Sequence, residues 1–235
     1  MVIRTFRSLL GWRSSKEQEI ESTLAGSLVE KCRQNKGRIS PFELLRNIPF
    51  VVFDTETTGL SVPDDDVIAI AAVVVENGII QDLPVFDRLV NPCREVPAIA
   101  QELTGIREEM LYDQPTIYPI LDDFLDFIDG SVLVAHRVGF DVGFLNKYLK
   151  KARTKIYHPT VDTITLSQVI EPFRADHSLD QLVPAYRIPP LPRHTAFGDA
   201  RMTAHLFVAL LQRLQELRPV KTLGELRRIL DQHHL

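Results

Sequence analysis

The sequence predicts an α/β fold, a mixed β-sheet with helices on its faces. Two patterns carry this reading. Strands come first, joined as a meander, and strands then alternate with amphipathic helices. A third observation sets the scale: 235 residues at 45% hydrophobic composition can bury one sizeable core and leave little for a second large domain.

The elements follow in chain order. Residues from Lys16 to about Arg46 read as charged and mostly helical, with a break at Ser40-Pro41 and an apolar stripe of Leu24, Leu28, Val29 and Cys32. Phe50 to Phe53 is a short apolar β-rich run that ends abruptly at Asp54. Val67 to Val75 is the second strand, and Asn77-Gly78 is a two-residue hairpin signal. Ile79 to Val90 returns antiparallel to it, bulged near Pro84. Pro97 to Leu103 is a short helix stopped near Gly105. Pro115 to Ile128 is a longer one, with Ile117, Ile120, Leu121, Phe124, Leu125 and Ile128 on one face and Gly130 at its end. Ser131 to His136 is a buried strand, Phe140 to Lys150 a helix, and Thr160 to Thr163 a short last strand. Helices follow at Ile164 to Ile170, at Ser178 to Ala185 and, longest, at Ala196 to Leu217. A final helix over Thr222 to Asp231 has Thr222 as N-cap and Glu225 three residues on. The expected organisation is an N-terminal helical extension over residues 1–47, a main domain over 48–218 and a C-terminal helix over 219–235.

Composition narrows the function. A net charge of -4 and a pI near 6.0 argue against a basic coat that holds nucleic acid by charge alone. They leave room for a metal nuclease, whose acidic ligands are neutralised by its ions. The two cysteines, Cys32 and Cys93, have no metal-type spacing, so neither a zinc site nor a disulfide framework is expected, and a reducing, cytoplasmic setting is the default. The longest apolar run, Val67 to Val75, is too short to span a bilayer. Met1 to Ser15 holds Arg4, Arg7 and Arg13 and no acid, which suits a targeting peptide, a basic arm near nucleic acid or a solvated terminus.

Three segments carry the chemistry. In F-V-V-F-D-T-E-T-T-G-L, from Phe50 to Leu60, Asp54 and Glu56 share a strand face. Two adjacent anions at a partly buried site repel and lose hydration, and a cation offsets both costs. Oxygen ligands alone favour Mg²⁺ or Mn²⁺. The same residues also read as an acidic turn after a strand. In L-V-A-H-R-V-G-F-D-V-G-F-L, Asp141 opens a helix, where a carboxylate also complements the macrodipole. His136 there is a structural histidine or a ligand, and Phe140 and Phe144, four apart, are core residues or base-stacking platforms. In H-T-A-F-G-D, His194 precedes the long helix and Asp199 lies one turn into it, at the edge of a core face formed by Ala196, Ala200, Thr203, Phe207, Leu210 and Leu214. Together, four carboxylates and a histidine at strand ends and helix starts converge on one rim of an α/β sheet. They are the inventory for two-metal phosphodiester hydrolysis with a histidine proton acceptor.

D-T-E-T-T-G-L from Asp54, H-x-x-x-F-D from His136 and H-x-A-x-x-D-A from His194 resemble the three motifs of the DnaQ-like, or DEDDh, exonuclease superfamily, the family of the epsilon proofreading subunit of bacterial DNA polymerase III. The similarity runs from about Pro49 to Leu217, so residues 48–218 are expected to be the exonuclease domain. The resemblance implies a ribonuclease H-like fold and 3′-to-5′ release of nucleoside 5′-monophosphates from single-stranded nucleic acid, DNA before RNA. It implies two Mg²⁺ or Mn²⁺ ions: Asp54 shared by both, Glu56 and Asp199 completing one site, Asp141 serving the other, and His194 as general base. Thr55, Thr57, Gly59 and Leu60 would line the terminal nucleotide, with His136, Arg137, Phe140 and Phe144 as further substrate contacts. Asp162-Thr163 matches a recurrent structural pair of the family. Arg137 departs from the pattern, where many relatives have Asn; an arginine there reaches a substrate phosphate or faces solvent. The expected role is stand-alone repair or processing rather than proofreading, with any polymerase or repair partner unidentified. Two other classes compete: a catalytically silent nucleic-acid-binding module on the same fold, and an unrelated metal phosphohydrolase. All five catalytic positions are filled by the expected residue types, which opposes the first, and there is no P-loop or zinc-type histidine cluster to support the second.

Overall fold

A computed structural model of the chain describes residues 23–232. The basic segment Met1 to Ser15 lies outside them. Five strands form one sheet in the order β3-β2-β1-β4-β5. Strands β1 (Phe50–Thr57), β2 (Val67–Glu76) and β3 (Ile79–Leu89) make the antiparallel meander, and β4 (Val132–Ala135) and β5 (Thr160–Asp162) run parallel to β1. Asn77 and Gly78 turn the β2–β3 hairpin with φ of 51° and 74°, the left-handed pair that a two-residue hairpin requires. The β2–β3 register slips between Val73 and Val75, opposite the stretch that contains Pro84. Pro84 has no N–H to give a ladder.

The middle strand organises the interior. Along β1, Phe50 and Val52 face one side of the sheet and Val51 and Phe53 the other, and all four are buried. The first face is covered by α5 (Thr163–Ile170), α6 (Leu179–Ala185), α7 (Ala196–Leu217) and α8 (Leu223–Asp231). Phe50 meets Phe207 of α7 at 4.9 Å between ring centroids. The second face is covered by the helix at 23–34 (α1), by α3 (Ile117–Phe127) and by α4 (Val138–Leu149), where Phe124 packs on Phe53 at 5.6 Å and on Phe86 at 5.3 Å. The short α2 (Ala98–Thr104) lies in a smaller third cluster with Ala196. Gly105 ends α2 with φ of 70°, and Thr222 and Glu225 form the expected capping box of α8.

Three boundaries differ from the sequence reading. The N-terminal helix ends at residue 34 rather than at Ser40-Pro41. Buried Asn35 stops it: its side-chain amide donates to the Lys31 carbonyl and to Asp129 Oδ1, and its Oδ1 accepts from Gly130 N, so it is tied to the end of α3. Strand β1 continues four residues past Phe53, because Asp54 to Thr57 keep pairing with Ala71 to Val67 of β2. Acidic residues are poor strand formers in isolation, and here the partner strand overrides that. Helix α4 begins at Val138, two residues before Phe140, for a reason that belongs to the site below.

The N-terminal segment is built into the core. Leu28 and Cys32 are fully buried in the α3–α4 cluster. Lys31 pairs with Asp122 and Asp126 of α3, each at 2.8 Å. Further on, Leu45 N donates to the Lys221 carbonyl at 2.8 Å and Gly224 N to the Pro41 carbonyl at 2.7 Å, so the segment before β1 is laced to the start of α8. Leu28→Ala is therefore expected to lower unfolding stability by about 2–5 kcal/mol, the cost of a cavity in a packed core. Urea denaturation measures this, and a loss below about 1 kcal/mol would mean that the helix is only loosely attached.

Candidate active site

Alternation along β1 puts Asp54 and Glu56 on the α7 face, in line with Phe50 and Val52. Their cross-strand neighbours on β2 are Ala71 and Ala69, whose small side chains leave room above the sheet. Asp199, in the first turn of α7, descends into that room. Asp54, Glu56 and Asp199 each offer an oxygen such that the three lie within 4.8 Å of one another. Glu56 and Asp199 are buried. Asp199 was expected at the half-sheltered edge of its helix; contact of α7 with β1 and β2 closes that edge.

Asp141 reaches the same place from the other side of the sheet. Thr55, between the two acids, faces α4, and both its backbone N–H and its hydroxyl donate to Asp141 Oδ1, at 3.0 and 2.7 Å. Asp141 is buried on α4, whose early start has a long-range cause. Asp162 at the end of β5 accepts from the backbone N–H of Arg137 (3.2 Å) and Val138 (2.9 Å), and from Ile164 N at 2.9 Å. One carboxylate thus caps α4 and α5 together. Arg137 adopts the left-handed conformation, φ 76°, to make this turn. Next door, Thr163 Oγ1 sits 2.8 Å from His136 Nδ1. The Asp162-Thr163 pair is structural in this concrete sense.

His194 lies just before α7. Its backbone N–H donates to Asp199 Oδ2 at 3.1 Å, and its φ is 57°. Thr195 caps α7, accepting from Gly198 N at 3.2 Å and donating to the Pro192 carbonyl at 2.8 Å. A Cβ on Gly198 would lie 2.1 Å from the Pro192 oxygen, so only glycine permits this approach of loop and helix.

Asp54 and Asp141 border an open cleft of about 500 Å³, while Glu56, Asp199 and His194 lie outside its lining. Of the expected substrate contacts, Thr55, Leu60, His136, Arg137 and Phe140 line it. Thr57 and Gly59 instead shape the turn that carries Leu60: Thr57 Oγ1 donates to the Gly59 carbonyl at 2.6 Å. Phe144 is a correction. It is fully buried in the core behind Phe140, with ring centroids 4.9 Å apart, and has no surface to offer a base. One helical turn separates the two rings, and only Phe140 reaches the opening. The sequence reading missed Gln168, Ser178 and Arg193, which share the cleft. Arg193 had a signal, since it stands beside His194. Gln168 and Ser178 had none, because only the packing of α5 and α6 brings them there.

The electrostatics are those of crowded anions. Burial first, then the carboxylates of Asp141, Glu56 and Asp199, hold Asp54 well above the usual carboxylate range. Glu56 is pushed up to about 7 by burial, then by Asp199 and Asp141, while Arg193 pulls it down. Burial also raises Asp141, against the two hydrogen bonds from Thr55. Burial lowers His136 to about 4, reinforced by Arg193 and Arg137, so its ring is neutral near pH 7. The residues fit a divalent cation. Hard oxygen donors converge, their charges are uncompensated in number, and Asp199 Oδ1 is buried without a hydrogen-bond partner among the described residues.

A ribonuclease H-like sheet whose middle strand carries two such acids, joined by a helix-borne third, is the frame of a metal-dependent nuclease. The chain belongs to the RNase_T exonuclease family, whose model matches residues 51–207. It is 41% identical over 174 residues to a DNA polymerase III subunit epsilon-like protein of Rhodobacter capsulatus, covering 73% of this chain and 25% of that one. It is 39% identical over 181 residues to the PolC-type DNA polymerase III of Caldanaerobacter subterraneus subsp. tengcongensis, covering 77% of this chain and 13% of that one. The chain thus spans a minor part of these relatives. Among solved structures, exonuclease X in complex with 5′ overhanging duplex DNA superposes with a TM-score of 0.57 at 27% identity, covering 69% of this chain and 91% of that one. Exonuclease I superposes with a TM-score of 0.64 at 14% identity and shares the fold. Among the described residues, no helix is long and apolar enough to cross a membrane.

A pH dependence follows from the raised carboxyls. A carboxyl lifted by folding stabilises the native state below its unfolded value, near 4.5 for Glu56, and loses that contribution as pH rises through about 7. Glu56→Gln removes this loss. The metal-free variant should become more stable than the metal-free parent as pH rises from about 5 to 8, by about 2–3 kcal/mol at the upper end. Saturating Mn²⁺ should reverse the order by stabilising the parent. Thermal melts in EDTA and in Mn²⁺ test this; a gap independent of pH would refute the crowding. Comparison with the parent cancels the opposite contribution of buried His136 and His158, both lowered by burial.

Proposed function

We propose that this chain hydrolyses phosphodiester bonds from the 3′ end of single-stranded nucleic acid, preferring DNA to RNA, and releases nucleoside 5′-monophosphates. The observation that carries it is the meeting of Asp54, Glu56 and Asp199 over the sheet, with Asp141 beside them and His194 hydrogen-bonded through its backbone to Asp199. The DNA preference is supported by the relatives, which are DNA polymerase III proteins, and by the 27% identical exonuclease X bound to DNA.

Asp54, Glu56 and Asp199 would hold one Mg²⁺ or Mn²⁺, and Asp54 with Asp141 would hold a second. When bound, such ions stabilise the charge of the attacking and leaving oxygens in an in-line displacement. The chain's own residues do the rest. His194 accepts a proton from the attacking water, whose oxygen forms the new bond to phosphorus as the bond to the 3′-oxygen of the preceding nucleotide breaks. Thr55 fixes the Asp141 carboxylate with two hydrogen bonds, which sets its orientation before any ion arrives. Leu60 and Phe140 offer apolar faces to the terminal base and sugar at the mouth of the cleft. Arg137, exposed at the rim, offers its guanidinium to a phosphate.

The test is a gel assay on 5′-labelled single-stranded DNA and matched RNA with Mg²⁺, Mn²⁺ or EDTA. A metal-dependent ladder shortening from the 3′ end is expected, and Asp54→Ala should abolish it while keeping the parent's fold, since removing one of several crowded anions relieves repulsion. Intact DNA in every lane, with the oligonucleotide still bound, would move the binding-module reading to the front. His194→Ala should lower kcat by about 10²–10⁴-fold, the usual worth of a general base, with a far smaller change in substrate Kd. Unchanged turnover with weakened binding would remove the base role.

A further inference from the structure

The carboxylate cluster already contains a cation of the chain's own. Arg193 Nη1 forms an ion pair with Asp199 Oδ2, and Arg193 Nε donates to Asp180 Oδ1 at 2.6 Å, on the first turn of α6. The two hosts differ. The Asp199 side chain is 8% exposed and belongs to the cluster, whereas that of Asp180 is 60% exposed and lies outside it. The same guanidinium acts favourably on Asp54 and Glu56. It therefore supplies, from one edge, part of the positive charge that a divalent ion would bring to the middle.

We propose that Arg193 is a displaceable internal counter-cation: it bridges Asp199 and Asp180 in the metal-free protein, and a divalent ion entering the site breaks its hold on Asp199 and leaves it on Asp180 alone. The inference rests on the metal-site reading above. Its physical basis is competition for one carboxylate. Asp199 Oδ2 already accepts from His194 N and Arg193 at once, and its Oδ1 is buried and unpartnered among the described residues. An ion that takes Asp199 adds two positive charges beside a third, and like charges a few ångströms apart in a half-buried site repel strongly. Asp180, already bonded to Arg193 Nε, keeps the released guanidinium paired.

The test reads metal binding rather than nuclease activity. Mn²⁺ affinity is measured by calorimetry on the full chain at pH 8, with melting temperature recorded at zero and saturating Mn²⁺. Arg193→Ala should tighten Mn²⁺ by about tenfold, the effect of removing one competing unit charge near the ion. It should melt lower than the parent without metal and match it at saturation. Arg193→Lys keeps the charge and should stay closer to the parent than to Arg193→Ala. Asp180→Ala removes the partner that holds the released guanidinium and should weaken Mn²⁺ by about two- to fivefold, the worth of one half-exposed ion pair. A merely structural arginine would give weaker binding for both alanine variants and a melting deficit that persists at saturating Mn²⁺, and either result overturns the proposal. If Arg193→Ala does not fold, an Asp180→Ala affinity equal to the parent's overturns it instead. A parent that binds no Mn²⁺ would overturn the metal-site reading itself, a result separable from the others.

Discussion

Everything at the working end of this molecule depends on holding several carboxylates close together out of water. The fold contributes rigidity: a doubly covered middle strand for Asp54 and Glu56, and helices on opposite faces that deliver Asp199 and Asp141. Rigidity alone would leave mutually repelling anions in a poorly solvated place. The metal-free chain relieves that in three ways: protons on carboxyls whose affinity for them is raised, hydrogen bonds from Thr55 to Asp141, and the guanidinium of Arg193. Each is reversible. A cleft that stores repulsion under such light restraint is prepared for an ion in a way that a neutral pocket is not.

Most of the architecture was readable because periodicity and turn chemistry agreed with it. The hairpin at Asn77-Gly78, the stop at Gly105, the Thr222 capping box and the span of α7 all follow from local rules. The failures share a cause as well. The end of α1, the length of β1 and the start of α4 are each fixed by a partner distant in sequence: Asp129 and Gly130 for Asn35, β2 for the acidic end of β1, and Asp162 for the turn at Arg137. A local window sees the propensity of these residues and not the group that satisfies them.

The site shows the same division. Its acids could be picked out because a strand alternation and two helix starts name them in order. Which neighbours line the cleft could not. Phe140 and Phe144 look equivalent in sequence, yet one turn of helix sends the first to the opening and the second into the core. Gln168 and Ser178 come from helices whose placement depends on the sheet beneath them. Asp162 is the instructive case. A residue outside the acid cluster ties the tip of β5 to the starts of two helices, and so helps decide where His136 and Asp141 stand.

The contact at Gly198 has a consequence for how the site can vary. Because the Pro192 carbonyl rests against the bare Cα of this residue, the loop bearing His194 and the helix bearing Asp199 meet at the closest approach their backbones allow, bridged by the Thr195 hydroxyl alone. The separation of His194 and Asp199 is then held by this close backbone contact and by the hydrogen bond from His194 N to Asp199 Oδ2, not by the packing of large side chains. Repacking elsewhere in the protein can therefore shift this corner as a block, and a side chain at position 198 is the change that would pry it apart.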